Sequence, residues 1–107
     1  MDANQLNELA DGATLIAQER QRQRFVGGYT DEHDDSEHDA GELARAGQAY
    51  EHCNVKFFPW AMQWWKPKDS LSNLVRAGAL YQAEIDSLQR RLNRIVNRIN
   101  KEANNGR

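Results

Sequence analysis

Apolar residues recur at alternating steps of three and four along the last third of the chain, the spacing of a helix that packs along one seam. Either Asp69 or Ser70 can cap this helix, and no proline interrupts it. At 1.5 Å per residue it extends roughly 45 Å, more than a body of this size covers. The seam positions are Leu71, Leu74, Gly78, Tyr81, Ile85, Leu88, Leu92, Ile95 and Ile99.

The two halves of this helix therefore have different expected partners. We predict that the first half, to about Leu88, packs against other helices of the same chain. The second half is predicted to form a coiled coil with another copy of the chain, because no other helix remains to cover it. The residues assigned to this contact are Ile85, Leu88, Leu92, Ile95 and Ile99.

Two more helices are predicted before the long one. Residues 3–25 are good helix formers with apolar residues at helical spacing, and Gly27-Gly28 ends this segment. Asp11 is suited to cap the part that follows it. A narrow stripe of small residues predicts another helix over residues 41–53. The candidate caps for it are Thr30, Ser36 and Asp39.

Two segments between these helices are expected to be irregular. Residues 29–40 follow the two glycines and hold six carboxylates, so we predict an acidic loop. Residues 54–68 contain both prolines and all three tryptophans, which argues against a continuous helix. The tryptophans have too much apolar area to remain in water, so we expect them to fill the core or to line a binding pocket.

The elements together predict an all-α protein, a small helical bundle with a Trp/Pro-rich irregular segment and a long C-terminal heptad helix. A chain of 107 residues is long enough for one modest core. We assign the helical core to residues 1–88. Residues 85–107 are the extension of the last helix, with its coiled-coil contact and basic tail.

Charge is distributed unevenly, although the formal net charge is only −2. Residues 29–51 contain eight acidic residues against Arg45, and residues 88–107 contain six basic residues against Glu102. Such polarity favours either an internal electrostatic contact or two separate binding faces. The acidic stretch would repel a nucleic-acid backbone, so nucleic acid is an unlikely partner.

The expected compartment is the cytoplasm. Cys53 is the only cysteine and cannot form an internal disulfide, and no apolar run approaches the roughly 20 residues that span a bilayer. The first residues lack the pattern of a secretion signal. Serine or cysteine catalysis has no support, because His52 is only a sequence neighbour of Cys53.

Basic and aromatic residues near the acidic stretch suggest a nucleotide-type ligand. Arginine and lysine side chains bind phosphate oxygens, and an exposed aromatic ring stacks on a base. Each residue alone is more often part of a solvated surface or a packed core, so their combination is what favours a ligand. The predicted ligand-binding residues are Arg20, Arg24, Tyr29, His33, Asp35, Trp65, Lys66 and Lys68.

Carboxylates in the same region could hold a Mg²⁺ ion. Hard oxygen ligands on a partly rigid frame suit this cation, and substrate phosphate would complete its shell. The candidate ligands are Asp35, Asp39 and Glu42. His33 and His38 would suit Zn²⁺ or Mn²⁺ better. The alternative is that the acids only stabilise a helix N-terminus.

The motifs resemble a family of small proteins encoded by phages and prophages. The shared pattern covers residues 19–88, with two departures: Tyr29 replaces a tryptophan and Asn73 replaces an acid. The matching stretches of this chain are ERQRQ from Glu19, EHDD from Glu32, HDAGELA from His38, WKPKD from Trp65 and LVRAGAL from Leu74.

A weaker likeness is to the MazG-type all-α nucleoside triphosphate pyrophosphohydrolases, whose helices present pairs of acids to Mg²⁺. Asp39 and Glu42 match one such pair, but Glu84 and Asp86 are two residues apart and point to different faces. Whether the chain is an enzyme stays open.

The resemblance implies a phage setting. We therefore expect a counter-defence factor that sequesters or hydrolyses a nucleotide signal. The alternatives are a protein that inhibits a host factor through its acidic surface and a MazG-like Mg²⁺-dependent hydrolase.

Overall fold

The computed structural model describes residues 10–28, 30–38 and 40–106, and this part of the chain is all-α, as predicted, with no strand. Two short 3-10 turns, Val55–Phe57 and Met62–Trp64, occupy the tryptophan-rich segment. The helices are α1 at Gly12–Phe25, α2 at Asp31–Glu37, α3 at Glu42–His52 and α4 at Ser70–Asn105. None of them combines the length and hydrophobicity needed to cross a membrane.

Helix α1 begins where the sequence predicted a cap. The side chain of Asp11 accepts a hydrogen bond from the backbone N–H of Thr14 at 2.8 Å. This bond satisfies one of the donors that every helix N-terminus leaves unpaired. The helix ends at Phe25, just before Gly27-Gly28, as expected. Residues 3–9 of the predicted helix lie outside the described residues.

The acidic stretch contains a helix where we expected a loop. Helix α2 spans seven residues, and the hydroxyl of Thr30 accepts a hydrogen bond from the backbone N–H of His33 at 3.2 Å. Thr30 is thus the cap of α2, whereas we had considered it as a cap for the next helix. Acidic residues fill the first turn, where they interact favourably with the helix dipole. The glycines before it end α1 but do not prevent a new helix from starting.

Helix α3 follows closely and packs against α4. Gly41, at φ 84°, precedes its first residue, and Cys53, at φ 48°, follows its last. A side chain at Gly47 would lie 2.8 Å from the ring of Tyr81 on α4, so only glycine permits this approach. The interface between α3 and α4 is the most extensive in the described residues.

The tryptophan-rich segment is irregular, as predicted, and its rings differ in burial. Trp65 packs on the core, with its ring centroid 4.8 Å from Tyr50 and 5.2 Å from Phe58. The Tyr50 hydroxyl accepts a hydrogen bond from the N–H of Lys66 and donates to the carbonyl oxygen of Trp64. Trp64, by contrast, is 61% exposed. One ring therefore fills the core, and another faces solvent beside it.

Helix α4 contains 36 residues and is capped by Asp69, whose carboxylate accepts from the N–H of Ser72. At 1.5 Å per residue it is about 54 Å long. Residues 92–106 are all exposed, so the helix extends beyond the body, as predicted. The longest dimension of the molecule is 60 Å.

The first half of α4 packs against α1 and α3, as predicted. The seam is not the face that makes this contact, because four of its aliphatic side chains remain 46–61% exposed. Most buried residues of the inner face of α4 are small instead, with Leu80 as its buried large aliphatic residue, and they let α1 and α3 approach the backbone closely. The exposed seam residues are Leu71, Leu74, Ile85 and Leu88. The buried residues of the inner face include Ala77, Ala79, Ala83 and Ser87.

Candidate ligand-binding cleft

Helix α2 is fastened to α4 by Asp35. Its carboxylate accepts hydrogen bonds from Arg90 at 2.7 to 3.2 Å, from Arg94 at 2.6 Å and from Ser87 at 3.0 Å. The hydrogen bonds from Arg90, followed by that from Ser87, lower the pKa of Asp35 to about 2. The uneven charge along the chain therefore produces an internal electrostatic contact, one of the two explanations considered for it.

The arginines of α1 also face the acidic helix. Arg24 donates to the carboxylate of Asp31 at 3.3 Å. Arg20 lies 3.5 Å from Asp34 and 3.8 Å from Asp31. Both Arg20 and Asp34 are almost fully buried. The predicted ligand residues Arg20 and Arg24 are therefore paired with acids of their own chain, and Asp35 is paired with arginines.

Burial dominates the protonation of this pair. Loss of hydration raises the pKa of Asp34 to about 6, even though the positive charge of Arg20 acts in the other direction. Loss of hydration also lowers the pKa of the Arg20 guanidinium. Within the described residues no donor makes a hydrogen bond to either oxygen of Asp34. The pair is held by charge at 3.5 Å and not by a direct hydrogen bond between the two groups.

The two histidines of the acidic stretch line a cavity of about 390 Å³. The rings of His33 and His38 lie 4.7 Å apart, and His38 lies 4.8 Å from Trp60. Burial lowers the pKa of His38, which favours its neutral form. The cavity also contacts Gly27, Ala61 and Trp64. Among the described residues of the predicted ligand set, His33 alone lines this cavity.

A larger cavity of about 530 Å³ adjoins it, and the two share Gly27, Trp60 and Trp64. We call it the basic-aromatic cleft; it lies between α1, the tryptophan-rich segment and α4. The charged, polar and aromatic residues that line the cleft are Arg22, Gln23, Tyr50, Phe58, Trp60, Trp64, Lys66, Lys68 and Arg76. Lys66 and Lys68 belong to the predicted ligand set, whereas Trp65 of that set packs on the core behind the cleft.

The arginines of the cleft are positioned by their neighbours. Arg76 stacks over the ring of Tyr50 at 4.9 Å and donates to the carbonyl oxygen of Lys66 at 2.9 Å. Glu19 accepts two hydrogen bonds of 2.7 Å from Arg22 and lies 3.7 Å from Arg76. These contacts fix the guanidinium groups at the cleft wall, so a ligand would meet them in a defined orientation.

The lysines of the cleft differ from the arginines. Lys66 and Lys68 are exposed, and within the described residues neither ammonium group forms an ion pair. Only their backbones are fixed, through Tyr50 for Lys66 and through Asn73 for Lys68. Glu19 is the one described acid beside the four cations of the cleft, which therefore carries a local positive charge. The cations are Arg22, Lys66, Lys68 and Arg76.

Gln23 lies against the cleft and is 2% exposed. Its amide nitrogen donates to Glu19 at 3.2 Å, which turns the amide oxygen away from that carboxylate. Within the described residues no donor reaches this oxygen. Sequence reasoning missed Gln23 and did not single out Trp64, because neither shows a spacing that distinguishes it from a surface or core residue.

The predicted metal ligands are not assembled by the described residues. Asp35 is surrounded by guanidinium donors, and Glu42 accepts hydrogen bonds from the backbone N–H groups of its own residue and of Ala40, which lower its pKa. No group of three His, Cys, Asp or Glu side chains suited to a metal occurs in residues 10–28, 30–38 and 40–106. Asp39 and the predicted ligand residue Tyr29 lie outside these ranges.

Comparison with protein-family models, curated proteins and solved structures found no match.

Proposed function

We propose that this protein binds a small anionic molecule with a planar ring, of the nucleotide type, in the basic-aromatic cleft. The observation that carries the proposal is the combination in one cavity of the exposed ring of Trp64 with two ammonium groups, those of Lys66 and Lys68, that form no ion pair with any described residue. A volume of about 530 Å³ lies within the range of roughly 300 to 1,000 Å³ that small-molecule sites have.

Phosphate recognition is assigned to the four cations. Lys66 and Lys68 supply mobile charges, and the fixed guanidinium groups of Arg22 and Arg76 supply oriented donors. Glu19 keeps the arginines aligned but also reduces their charge. A dianionic phosphate is therefore expected to contact the lysines most directly.

Ring recognition is assigned to Trp64. Stacking of a base on an aromatic ring contributes roughly 1 to 3 kcal/mol and tolerates any base. The amide oxygen of Gln23 is a buried acceptor without a donor, which costs about 1 to 3 kcal/mol. After a small movement of this side chain, an amino group on the ligand would supply the missing donor. This feature favours bases that carry an exocyclic amine.

The resemblance to phage proteins supports a sequestering role. A protein that holds a nucleotide signal without converting it needs a charged cleft but no catalytic group. Hydrolysis with Mg²⁺ is the less favoured alternative, because the oxygens of Asp35 already accept hydrogen bonds from arginines. Inhibition of a host protein through an acidic surface is also less favoured, since Asp31, Asp34 and Asp35 pair with arginines of this chain.

The proposal is tested by calorimetric titration and thermal shift with a panel of ligands. The panel contains nucleoside mono-, di- and triphosphates, cyclic mono- and dinucleotides, ADP-ribose and inorganic phosphate, each with and without Mg²⁺. We expect at least one nucleotide to raise the melting temperature, because a ligand that binds only the folded state stabilises it. Chromatography of the mixtures separates binding from turnover.

Matched variants locate the binding site. Lys66→Gln and Lys68→Gln are each expected to weaken binding by about tenfold or more, since a hydrogen bond to a charged group contributes roughly 1.5 to 3 kcal/mol. Lys56→Gln removes a lysine of the same segment that does not line the cleft, so it should bind like the wild type. If no nucleotide binds, or if the three variants bind equally, the proposal is wrong.

A further inference from the structure

The outer face of α4 carries a line of large aliphatic side chains that the rest of the chain leaves exposed. Seven of them have exposed fractions of 46–61%, although leucine and isoleucine are usually buried. A line of this length on one face marks an interaction surface. The residues of this outer seam are Leu71, Leu74, Ile85, Leu88, Leu92, Ile95 and Ile99.

Among residues 10–28, 30–38 and 40–106, contacts from α1 and α3 cover only the middle of this line. Gly78 leaves room for Ile16 of α1, and the ring of Tyr81 lies against Gly47 of α3. On both sides of this covered part the outer seam is open, and its longer open stretch is residues 85–99. This stretch lies mostly on the part of α4 that extends past α1 and α3.

We infer that the outer seam is the contact surface for a second copy of this chain, which pairs with it in parallel as a coiled coil. The first argument is the spacing: Ile85, Leu88, Leu92, Ile95 and Ile99 alternate in steps of three and four without a break. This repeat lets the side chains of one helix insert between those of an identical helix.

The second argument is the width of the apolar line. A membrane surface or a broad protein groove accepts a wide apolar face, whereas a coiled-coil seam is narrow. Along residues 85–99 the outer seam has Gln89 and Val96 on one flank and Arg91 and Arg98 on the other. The narrow line therefore fits another helix.

The third argument is charge, and it selects the parallel orientation. In a parallel pair the flank with Arg91 and Arg98 faces the neutral flank of the second copy, at Val96 and Ala103. In an antiparallel pair the two arginine flanks would face each other; Glu84, the acid of that flank, is buried and lies 3.9 Å from Arg91 of its own chain, so it offsets only part of their repulsion. The parallel pair also brings Leu71 and Leu74 of both copies to the same end.

The pairing is tested by light scattering during size-exclusion chromatography. We expect the wild type to elute with the mass of two chains, a single chain being 12.3 kDa. Ile95→Asp is expected to raise the dissociation constant at least 100-fold and to elute as a single chain. Asn97→Asp places the same charge on the opposite side of the same turn and should leave the pair intact.

Folding of the variants is checked by circular dichroism, and Ile95→Asp should stay helical in the body because Ile95 is already exposed in the single chain. A single-chain mass for the wild type at 100 µM would overturn the inference, including when such chains bind lipid vesicles or another protein instead. A paired mass for Ile95→Asp would overturn it as well.

The orientation has its own test in a Cys53→Ser background. Ile99→Cys should form an intermolecular disulfide under mild oxidation, because equivalent seam positions face each other only in a parallel pair. Asn100→Cys, on a polar side of the helix, should not. Absence of the Ile99→Cys disulfide in a paired protein, or equal cross-linking of both variants, would overturn the parallel arrangement.

Discussion

The two faces of α4 differ in burial, and the order is the reverse of what side-chain size predicts: small residues are buried and large aliphatic residues are exposed. The inner face, which α1 and α3 cover, presents Ala77, Ala79, Ala83 and Ser87. The outer face presents leucines and isoleucines that remain about half exposed. In a single-chain bundle the larger aliphatic residues usually point inward, since their burial contributes most to stability.

The difference shows what each face requires. Small side chains on the inner face bring backbones close together, and Gly47 beneath Tyr81 is part of the same close approach. Large side chains on the outer face would prevent such an approach but fit between those of a separate helix. The inner face therefore determines the fold of one chain, and the outer face is available for a contact between chains.

The largest expected effect is overpacking of the inner face. Ala83→Leu inserts three carbons at a fully buried position, and we expect the free energy of unfolding to fall by about 3 kcal/mol. Gln82→Leu introduces the same leucine side chain one residue earlier, at an exposed position. It should change the free energy of unfolding by less than about 0.5 kcal/mol. Urea unfolding measures both, and similar losses would remove the distinction between the faces.

The next effect concerns the charged end of the inner face. Asp35→Asn keeps the shape of the side chain but removes the charge that holds Arg90 and Arg94, so we expect a loss of about 2 kcal/mol. Glu37→Gln, an exposed position on the same helix, is the control. An effect of Asp35→Asn no larger than that of Glu37→Gln would show that this contact does not fasten α2.

A smaller effect is expected from pH at Asp34. Its pKa of about 6 lies above the ordinary value, so the folded state binds the proton more tightly than the unfolded state does. Asp34 therefore destabilises the fold above pH 6, and this penalty disappears as the pH falls towards 4. As the pH rises from 4 to 6, the wild type should lose roughly 1.5 to 2 kcal/mol of stability relative to Asp34→Asn. Parallel stability curves for the two proteins would contradict this expectation.

The smallest effect is expected on the outer face. In protein dilute enough to be single chains, Ile85→Ala should change the free energy of unfolding by less than about 0.5 kcal/mol, because Ile85 is 61% exposed. Leu80→Ala, at a buried position of the same helix, should cost about 3 kcal/mol. Tryptophan fluorescence measures both at low concentration. A large loss for Ile85→Ala there would mean that this residue packs within the chain.

The sequence predicted the helix class and several boundaries, because these depend on local chemistry. The caps at Asp11 and Asp69 and the end of α1 before Gly27 follow from residue type and spacing. It did not predict which face of α4 is inside, since an alanine face produces little hydrophobic signal beside a line of leucines. The helix at residues 31–37 was not predicted, because Gly27-Gly28 before it is typical of the start of a loop.

The candidate site was predictable only in part, because the sequence does not show which residues far apart in the chain lie close together. Lys66 and Lys68 are close in sequence and share the cleft. Arg20, Arg24 and Asp35 were grouped as ligand residues because the sequence shows charges but not the distance between residues 35 and 90. The uneven charge along the chain did contain that information, as one of its two explanations was an internal contact.

The exposed end of α4 has a consequence for local dynamics. Its backbone amides from residue 95 onward are protected from hydrogen exchange only by the hydrogen bonds of the helix itself, which fray from the terminus. In isolated chains these amides should exchange with deuterium much faster than those of the inner segment near Ala83. A second helix along residues 85–99 would slow that exchange, so the exchange rate of these C-terminal amides reports whether two chains have associated.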